Sequence, residues 1–284
     1  MDQQLRYRLL VSDIDGTLVS DDDRLEKETI ESIEEFRSAG GLFTLATGRN
    51  FPHTLSIIEQ LQVDLPVILS DGAVLYDPVH RKKEIISSFT WEQLDQLVRQ
   101  CKAISSQNEV FVFGCQKQTY DYCVYGVGNH PIIEKYASSW FYQYKVVPSF
   151  KTIVSEAYMM SVLVWIKEPN VIQQIQDWMK THSDQFHFHF WMEQIVQVLP
   201  YTSTKGDAIL SLCEHLQIAV EEVAAIGDQL NDLSMARTAG LFAAMENGDP
   251  LVKESAQLVV PKNNDLGVAH FIRQHLLAHQ TGSN

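Results

Sequence analysis

The sequence predicts a doubly wound, Rossmann-like α/β core with a mostly parallel sheet and an inserted α+β domain. Short apolar runs alternate with helical patterns near the start of the chain, and the same alternation returns near its end. The segment between them differs, because residues 87–192 are 106 of the 284 positions and contain 20 of the 28 aromatic residues. We therefore predict a core formed by residues 1–86 and 193–284, with residues 87–192 inserted as a separate domain.

The first block is predicted to run strand, helix, strand, helix, strand. Its strands are short apolar runs, and its first helical pattern is followed by Gly40 and Gly41, which suit the end of a helix. The predicted elements are, in chain order, Leu9–Ser12, Lys27–Ala39, Leu42–Ala46, Thr54–Leu61 and Pro66–Leu69. This alternation is typical of parallel strands with helices on both faces of the sheet.

The inserted domain and the late block are predicted from the same two periodicities. In the insertion, apolar and polar residues alternate in strand fashion between stretches of helical spacing. The predicted strands of the insertion are Thr119–Tyr125, Met159–Ile166 and Phe186–Phe190, and its predicted helices are Glu92–Ile104 and Val171–Thr181. The late block is predicted to comprise Lys205–Leu216 (helix), Val223–Ile226 (strand), Leu230–Ala239 (helix), Leu241–Ala244 (strand) and Leu266–Ala278 (helix).

The composition argues against several classes of function. A net charge of −14, from 22 basic and 36 acidic residues, disfavours nucleic acid or an anionic membrane surface as a partner. The four cysteines lack CxxC or zinc-like spacing, which indicates thiols in a reducing compartment. The sequence shows neither a signal peptide nor an apolar run long enough to span a bilayer. We expect a cytoplasmic protein, either a monomer or a homodimer.

The most informative feature is the acidic turn Asp13-Ile14-Asp15-Gly16-Thr17-Leu18, which directly follows the first predicted strand. Carboxylates at positions i and i+2 of an extended segment point to the same side, and Gly16 lets the backbone turn away sharply. Like charges held this close repel each other unless a cation or a shared proton lies between them. Mg²⁺ in front of a phosphate suits such a pair, because it prefers carboxylate and phosphate oxygens.

Other polar motifs are expected at the same edge of the sheet, where ligands of parallel α/β folds bind. Thr47-Gly48-Arg49 follows the second strand and offers a hydroxyl and backbone N–H groups to an anion. Lys205-Gly206-Asp207 opens a helix after Tyr201–Thr204, and the segment 227–232 follows a later strand. Asp13, Asp15, Asp228 and Asp232 with a bound phosphate would carry about six negative charges at pH 7. We therefore expect an enzyme that is inert without a divalent cation.

Together these motifs resemble the four motifs of the haloacid dehalogenase superfamily. The relevant residues are DIDGTL at 13–18, TGR at 47–49, KGDA at 205–208 and GDQLND at 227–232. The long insertion between the second and third motifs is similar to the Cof-type sugar-phosphate phosphatase branch with a large α/β (type C2) cap. The resemblance covers nearly the whole chain, including Met245–Gly248 and Asn264–Ala269, which are similar to the C-terminal signature of this branch.

The resemblance implies phosphoryl transfer through an aspartyl-phosphate. Asp13 would be the nucleophile, and Asp15 would protonate the leaving oxygen and later activate water. Mg²⁺ would be held by Asp13, Asp228 and the backbone carbonyl of Asp15. The residues that would bind the transferring phosphoryl group are Thr47, Gly48, Lys205 and Asn231.

Three further residues would support this site. Asp232 would lie near Lys205 or a metal-bound water. Thr17 would shape the turn and hydrogen-bond the loop of the nucleophile, and Arg49 would either reach the substrate or only pair with carboxylates of the core. We expect the loop Asp21–Asp23 to be solvated.

One position departs from the pattern of the family. The family usually has Asn-Gly after the third strand, and this chain has Ser70-Asp71-Gly72. An amide that can donate is thereby replaced by a carboxylate that only accepts hydrogen bonds. The change adds negative charge near the mouth of the predicted site, where it would alter substrate preference or local backbone bonding.

We therefore expect a Mg²⁺-dependent phosphatase acting on small phosphorylated metabolites, such as sugar phosphates or phosphorylated cofactors. A phosphomutase, or a phosphatase devoted to one sugar phosphate, is the alternative within the enzyme class. A phospho-acceptor regulatory domain is the alternative of another class, because it also uses clustered aspartates, a threonine and a lysine. Asp15 argues against that domain, since a signalling acceptor needs no acid or base two residues away to discharge it.

Overall fold

A computed structural model describes residues 5–278 of the chain. In that range the strands are, in chain order, β1 (Leu9–Ser12), β2 (Leu42–Leu45), β3 (Val67–Leu69), β4 (Val74–Asp77), β5 (Lys82–Ile85), β6 (Glu109–Gln116), β7 (Tyr122–Gly126), β8 (Gln143–Val146), β9 (Ala157–Trp165), β10 (Phe186–Met192), β11 (Ile195–Pro200), β12 (Val223–Gly227), β13 (Leu241–Met245) and β14 (Leu258–Val260). The α-helices are α1 (Lys27–Ser38), α2 (Phe51–Gln60), α3 (Trp91–Ile104), α4 (Pro131–Ser139), α5 (Ile172–Thr181), α6 (Lys205–Leu216), α7 (Leu233–Thr238), α8 (Pro250–Ser255) and α9 (Gly267–Phe271).

The chain divides into two units. The first comprises Met1–Glu84 with Thr204–Asn284, and the second comprises Ile85–Ser203. The expected boundary after residue 192 differs from this division by about one strand. β11 forms hydrogen-bonded ladders with β10 and β9 and so belongs to the sheet of the second unit. Residues 279–284 of the predicted core lie outside the described residues.

The first unit contains the parallel sheet that the sequence predicts. Its strand order is β14-β13-β12-β1-β2, and every neighbouring pair is parallel. All residues of β1, β12 and β13 are buried. Strands covered on both faces need unbroken apolar sequence, which explains why short apolar runs predicted them correctly.

The third predicted strand of this block behaves differently from the expectation. β3 pairs antiparallel with β4 in a separate sheet of order β3-β4-β5. It meets the parallel sheet through a single bridge between Ala46 and Ile68. The physical reason is the turn at Ser70–Gly72, where all three residues have positive φ and send the chain straight back into β4.

The second unit is built on a six-stranded sheet of order β10-β11-β9-β6-β7-β8. Its pairs are antiparallel except for β7 with β8. Buried side chains of α3 and α5 pack with one set of strand residues, including Val112 and Val162. Buried side chains of α4 pack with the alternate set, including Phe111 and Leu163. The unit is therefore a sheet with helices on both faces, and the predicted α+β class is confirmed.

Two predicted helices differ in form from the expectation. The segment predicted as one helix from Leu230 begins with a 3₁₀ turn, Leu230–Asp232, and only then continues as α7. The last helix consists of α9 followed by wider π-type turns over Ile272–Leu277. The sequence reading also missed several elements, namely β4, β5, β6, β8, β11, β14, α4 and α8. Among residues 5–278, no helix has both the length and the apolar character needed to cross a membrane.

The backbone of Gly72 lies very close to that of Thr204 and gives a test of the fold. Its φ is +92°, and a Cβ there would collide with the backbone carbonyl of Thr204. Gly40 has a similar φ of +89°, but nothing lies within 4 Å of the position of its Cβ. We expect Gly40→Ala to lower the free energy of unfolding by about 1 kcal/mol, and Gly72→Ala to lower it by at least about 2 kcal/mol more. Urea unfolding followed by circular dichroism measures both values, and equal losses would contradict the contact.

Candidate active site

The acidic turn lies at the carboxyl end of β1, as the sequence predicts. The backbone N–H of Asp13 donates to the carbonyl of Ile226, 3.0 Å away, so Asp13 begins directly where the parallel ladder ends. Gly16 has a φ of +73°, and a Cβ at this position would collide with the carboxylate of Asp228. The turn therefore requires glycine for its backbone conformation and for the approach of a carboxylate 212 positions away in the chain.

A buried lysine joins two of the predicted aspartates. Lys205 Nζ lies 2.6 Å from Asp13 Oδ1 and 2.6 Å from Asp232 Oδ1. The three side chains are 1%, 6% and 0% exposed, respectively. Burial alone would lower the pKa of Lys205, but Asp13, Asp232 and, less strongly, Asp71 raise it above its ordinary value. The ammonium group is therefore held in its charged form.

Asp13 and Asp228 carry negative charge that the protein only partly balances. Burial raises the pKa of Asp13 well above its usual range; Lys205 opposes the rise, and Asp232 and Asp228 add to it. Burial and the nearby Asp232 likewise raise the pKa of Asp228 to about 6. Two carboxylates that resist ionisation in this way indicate a place where additional positive charge would be favourable.

The donor set fits a divalent cation. Ligand oxygens of Asp13, Asp228 and Asp232 lie within 4.8 Å of one another, and all three residues are buried. Both carboxylate oxygens of Asp232 already accept hydrogen bonds, one from Lys205 and the other from the backbone N–H groups of Asp228 and Gln229. Asp232 thereby orients Lys205 and the loop that carries Asp228, and the three carboxylates together form the candidate ligand set. Oxygen donors of this kind suit a hard divalent cation.

Thr17 and Gln229 hold the carboxylate of Asp228. Thr17 Oγ1 donates to Asp228 Oδ1 at 3.0 Å, and Gln229 Nε2 donates to Asp228 Oδ2 at 2.9 Å. The sequence reading expected Thr17 to bond the loop of the nucleophile, whereas its partner is the aspartate that follows β12. Asn247, in the motif near the C-terminus, donates from Nδ2 to the carbonyl of Gly16 at 2.8 Å and secures the same turn.

The second acidic residue of the motif faces a different partner. The carboxylate of Asp15 is 61% exposed and accepts hydrogen bonds from Arg49 Nε at 2.9 Å and Arg49 Nη2 at 2.6 Å. Arg49 is 8% exposed and also forms an ion pair with Asp23. Asp15 is therefore held at the mouth of the site rather than within the buried cluster. Asp23 belongs to this arrangement and is 64% exposed, which agrees with the solvated loop expected from the sequence.

The Thr47–Arg49 segment is tied to the turn at Ser70–Gly72. The backbone N–H of Asp71 donates to the carbonyl of Thr47 at 3.1 Å, and that of Ser70 donates to the carbonyl of Arg49 at 2.9 Å. The hydroxyl of Thr47 accepts from the N–H of Arg49 at 3.0 Å and retains its own proton for a ligand. Two loops that follow β2 and β3 are thereby fixed beside the acidic cluster.

Lys205 reaches the site by a route that the sequence reading did not foresee. It is the first residue of α6, and the strand before it, β11, belongs to the sheet of the second unit. Thr204 caps α6 by accepting from the N–H of Asp207 at 3.0 Å, and the carbonyl of Thr204 lies against Gly72. The helix start, and with it Lys205, is therefore positioned by the Ser70–Gly72 turn and not by a strand end of the parallel sheet.

The structure thus brings most of the predicted site residues into one place. Asp13, Asp228, Asp232 and Lys205 form the buried cluster, and Thr17 contacts it through Asp228. Asn231 donates from Nδ2 to Asp71 Oδ1 at 2.9 Å, which links it to the loop that follows β3. Asp15 and Arg49 form a separate pair at the mouth.

Comparison with known proteins gives one family across the chain. A sequence model of haloacid dehalogenase-like hydrolases matches residues 10–272. A 5-amino-6-(5-phospho-D-ribitylamino)uracil phosphatase of Bacillus subtilis is 26% identical over 286 residues, which cover 95% of this chain and 98% of that protein. A pyridoxal phosphate phosphatase of Escherichia coli is 26% identical over 279 residues, which cover 95% of this chain and 99% of that protein. A crystal structure from Thermotoga maritima is similar with a TM-score of 0.74 and 26% identity, covering 94% of this chain and 97% of that one.

Lys205 gives a test of the buried cluster that does not depend on activity. Replacing it by Met leaves the carboxylates of Asp13 and Asp232 buried beside each other without their cation. We expect Lys205→Met to lower the free energy of unfolding by about 3–5 kcal/mol in metal-free buffer, as for other broken buried ion pairs. The control is Lys27→Met, which removes an 84% exposed lysine paired with Glu31 and should change stability by no more than about 0.5 kcal/mol. Equal effects in urea unfolding would contradict the cluster.

Proposed function

Because the chain belongs to the haloacid dehalogenase-like hydrolases, we propose that it hydrolyses small phosphorylated metabolites through an aspartyl-phosphate on Asp13. The enzyme is a phosphatase of this family. One relative is a phosphatase for 5-amino-6-(5-phospho-D-ribitylamino)uracil and another for pyridoxal phosphate, which supports small phosphate esters as the substrate class.

The observation that carries the proposal is the 2.6 Å contact between Lys205 Nζ and Asp13 Oδ1. When a carboxylate attacks a phosphoryl group, negative charge is concentrated on the phosphoryl oxygens in the transition state. A positive charge next to these oxygens stabilises that state. Lys205 supplies that charge within hydrogen-bond reach of the attacking residue. Its position also explains why a lysine is buried at the start of a helix, where the helix dipole disfavours a cation.

Mg²⁺ is the metal that we propose for this site, held by Asp13, Asp228 and the backbone carbonyl of Asp15. When bound, it would neutralise part of the carboxylate charge and polarise the phosphoryl oxygens. The raised pKa values of Asp13 and Asp228 support this choice, because a cation there would favour their ionised forms.

The reaction would proceed in two displacements on Asp13. In the first, a carboxylate oxygen of Asp13 forms a bond to phosphorus, the bond between phosphorus and the ester oxygen breaks, and Asp15 gives that oxygen a proton. In the second, Asp15 takes a proton from water, the water oxygen forms a bond to phosphorus, and the bond to Asp13 breaks to release inorganic phosphate. Lys205, Thr47 and Gly48 would bind the phosphoryl group during both steps. Asn231, which the sequence assigned to the same role, donates its amide N–H to Asp71 and would instead hold the loop after β3.

Arg49 would act by orienting Asp15. Its guanidinium contacts both oxygens of that carboxylate, and its own position is fixed by burial and by Asp23. A planar, two-pronged contact of this kind holds a carboxylate in one orientation better than a lysine would. Asp15, the proposed acid and base, is therefore held in one orientation while its carboxylate remains accessible to water.

We expect Asp13→Asn to lower the rate of phosphate release from small phosphate esters by at least about 10³-fold, because the amide cannot form the phosphoryl bond. The charge-matched control is Asp22→Asn, at an exposed position that pairs with the exposed Arg24, and this variant should retain activity. Circular dichroism checks that both variants are folded. Substantial phosphate release by Asp13→Asn would contradict the nucleophile, and phosphoryl transfer between two positions of a sugar would favour the mutase alternative.

Metal binding can be measured without turnover. We expect MgCl₂ at about 100 times its dissociation constant to stabilise the native protein by about 2.7 kcal/mol, which raises the melting temperature by several degrees. Asp228→Asn removes one proposed ligand but keeps the size of the side chain, so the rise should be much smaller. NaCl at matched ionic strength is the control for screening. An unchanged rise in Asp228→Asn would contradict its role as a ligand.

A further inference from the structure

The turn at Ser70–Gly72 places a carboxylate in the site that the catalytic steps above do not use. Asp71 is 6% exposed and has a φ of +53°. Its backbone is fixed by the hydrogen bond to the carbonyl of Thr47. Asn, Asp and Gly adopt this left-handed backbone most readily, so the position accepts few other residues without strain.

The carboxylate of Asp71 lies beside Asn231 and near two residues proposed to bind the phosphoryl group, Gly48 and Lys205. Its oxygens are 3.1 and 3.3 Å from the position that a Cβ on Gly48 would occupy. Its Oδ1 accepts from Asn231 Nδ2 at 2.9 Å. Its charge also helps to raise the pKa of Lys205. A negative charge therefore stands beside Gly48, Asn231 and Lys205.

Asp71 determines which end of the Asn231 amide is presented to a ligand. Because a carboxylate only accepts hydrogen bonds, the NH₂ end of Asn231 must face it. The other end, Oδ1, is buried and has no hydrogen-bond partner among the described residues. A buried acceptor without a donor is unfavourable until one arrives. The corner formed by Gly48, Asp71 and Asn231 thus contains two acceptors, the carboxylate of Asp71 and the amide oxygen of Asn231, and within residues 5–278 the second of these lacks a donor.

Phosphate oxygens at neutral pH are mainly acceptors, so they cannot donate a hydrogen bond to Asp71 or to Asn231 Oδ1. A hydroxyl or ammonium group near the phosphate of a substrate can donate such a bond. We propose, on the basis of the function proposed above, that Asp71 is a specificity-determining residue that selects phosphate esters with a hydrogen-bond donor on the carbon next to the ester carbon. The donor pairs with Asp71 or Asn231 Oδ1, while the phosphoryl group binds Lys205 and Gly48. The same carboxylate weakens the binding of inorganic phosphate.

The test compares matched substrates that differ only in the donor. Propane-1,2-diol 1-phosphate is compared with propyl phosphate for a hydroxyl, and phosphoethanolamine is compared with ethyl phosphate for an ammonium group. In the wild type we expect kcat/KM to be higher for the donor-bearing member of at least one pair, by about tenfold, as for a hydrogen bond to a charged group. In Asp71→Asn we expect that ratio to fall by about tenfold and the inhibition constant of inorganic phosphate to fall by about threefold or more.

Two further variants separate this role from a structural one. Asp71→Gly removes the carboxylate but suits the left-handed backbone, so it should fold and lose the same preference. Asp64→Asn makes the same change of charge at an exposed residue before β3, at the opposite end of that strand, and should leave the ratios unchanged. A purely structural role of Asp71 would lower kcat/KM for both members of a pair equally.

The outcomes distinguish this inference from the proposed function. Phosphate release by the wild type with unchanged ratios in Asp71→Asn and Asp71→Gly would overturn the role of Asp71 and leave the phosphatase assignment intact. A wild type without preference for the donor in either pair would overturn it as well. The proposed function itself would be contradicted if the Asp13→Asn variant still released phosphate at a substantial rate.

Discussion

The ion pairs of Lys205 are the interaction on which the site depends. Its ammonium group joins Asp13, at the end of β1, to Asp232, after β12, in a region closed to water. Each of these charges would be strongly unfavourable there alone, so the three fix one another's positions. Asp228 has no bond to this lysine and keeps a raised pKa. A cation beside Asp13 and Asp228 would complete the charge balance, as the proposed function requires.

Close backbone contacts make this arrangement possible. Gly16 leaves room for the carboxylate of Asp228, and Gly72 lets the turn after β3 touch the cap residue of α6. Because Lys205 is the first residue of α6, the second contact sets the position of the lysine. The same turn carries Asp71 to the side of Gly48. The Ser70–Gly72 turn thus positions the ammonium group of Lys205 and also places the carboxylate of Asp71 next to Gly48.

Prediction from sequence succeeded where burial alone decides structure. β1, β12 and β13 are covered on both faces, and their apolar runs marked them nearly to the residue. Prediction was less successful where the fold depends on which strands pair with each other. Val67–Leu69 is equally apolar, yet it forms a hairpin with β4, because three residues with positive φ turn the chain back. Residues 193–203, which contain β11, were assigned to the core, whereas β11 pairs with β9 in the second unit, because a local apolar pattern does not specify which sheet a strand joins.

The sequence by itself determined the chemical groups of the site, because motifs such as DIDGTL and GDQLND place carboxylates at fixed spacing after buried strands. Only the tertiary structure decided how those groups pair. It brought Lys205 to an aspartate 192 positions away, joined Arg49 to Asp15 and Asp23, and turned Asn231 toward Asp71. Local sequence encodes burial and turns, which depend on neighbouring residues. Hydrogen-bond partners distant in the chain depend instead on how helices and loops pack, and no local pattern records that.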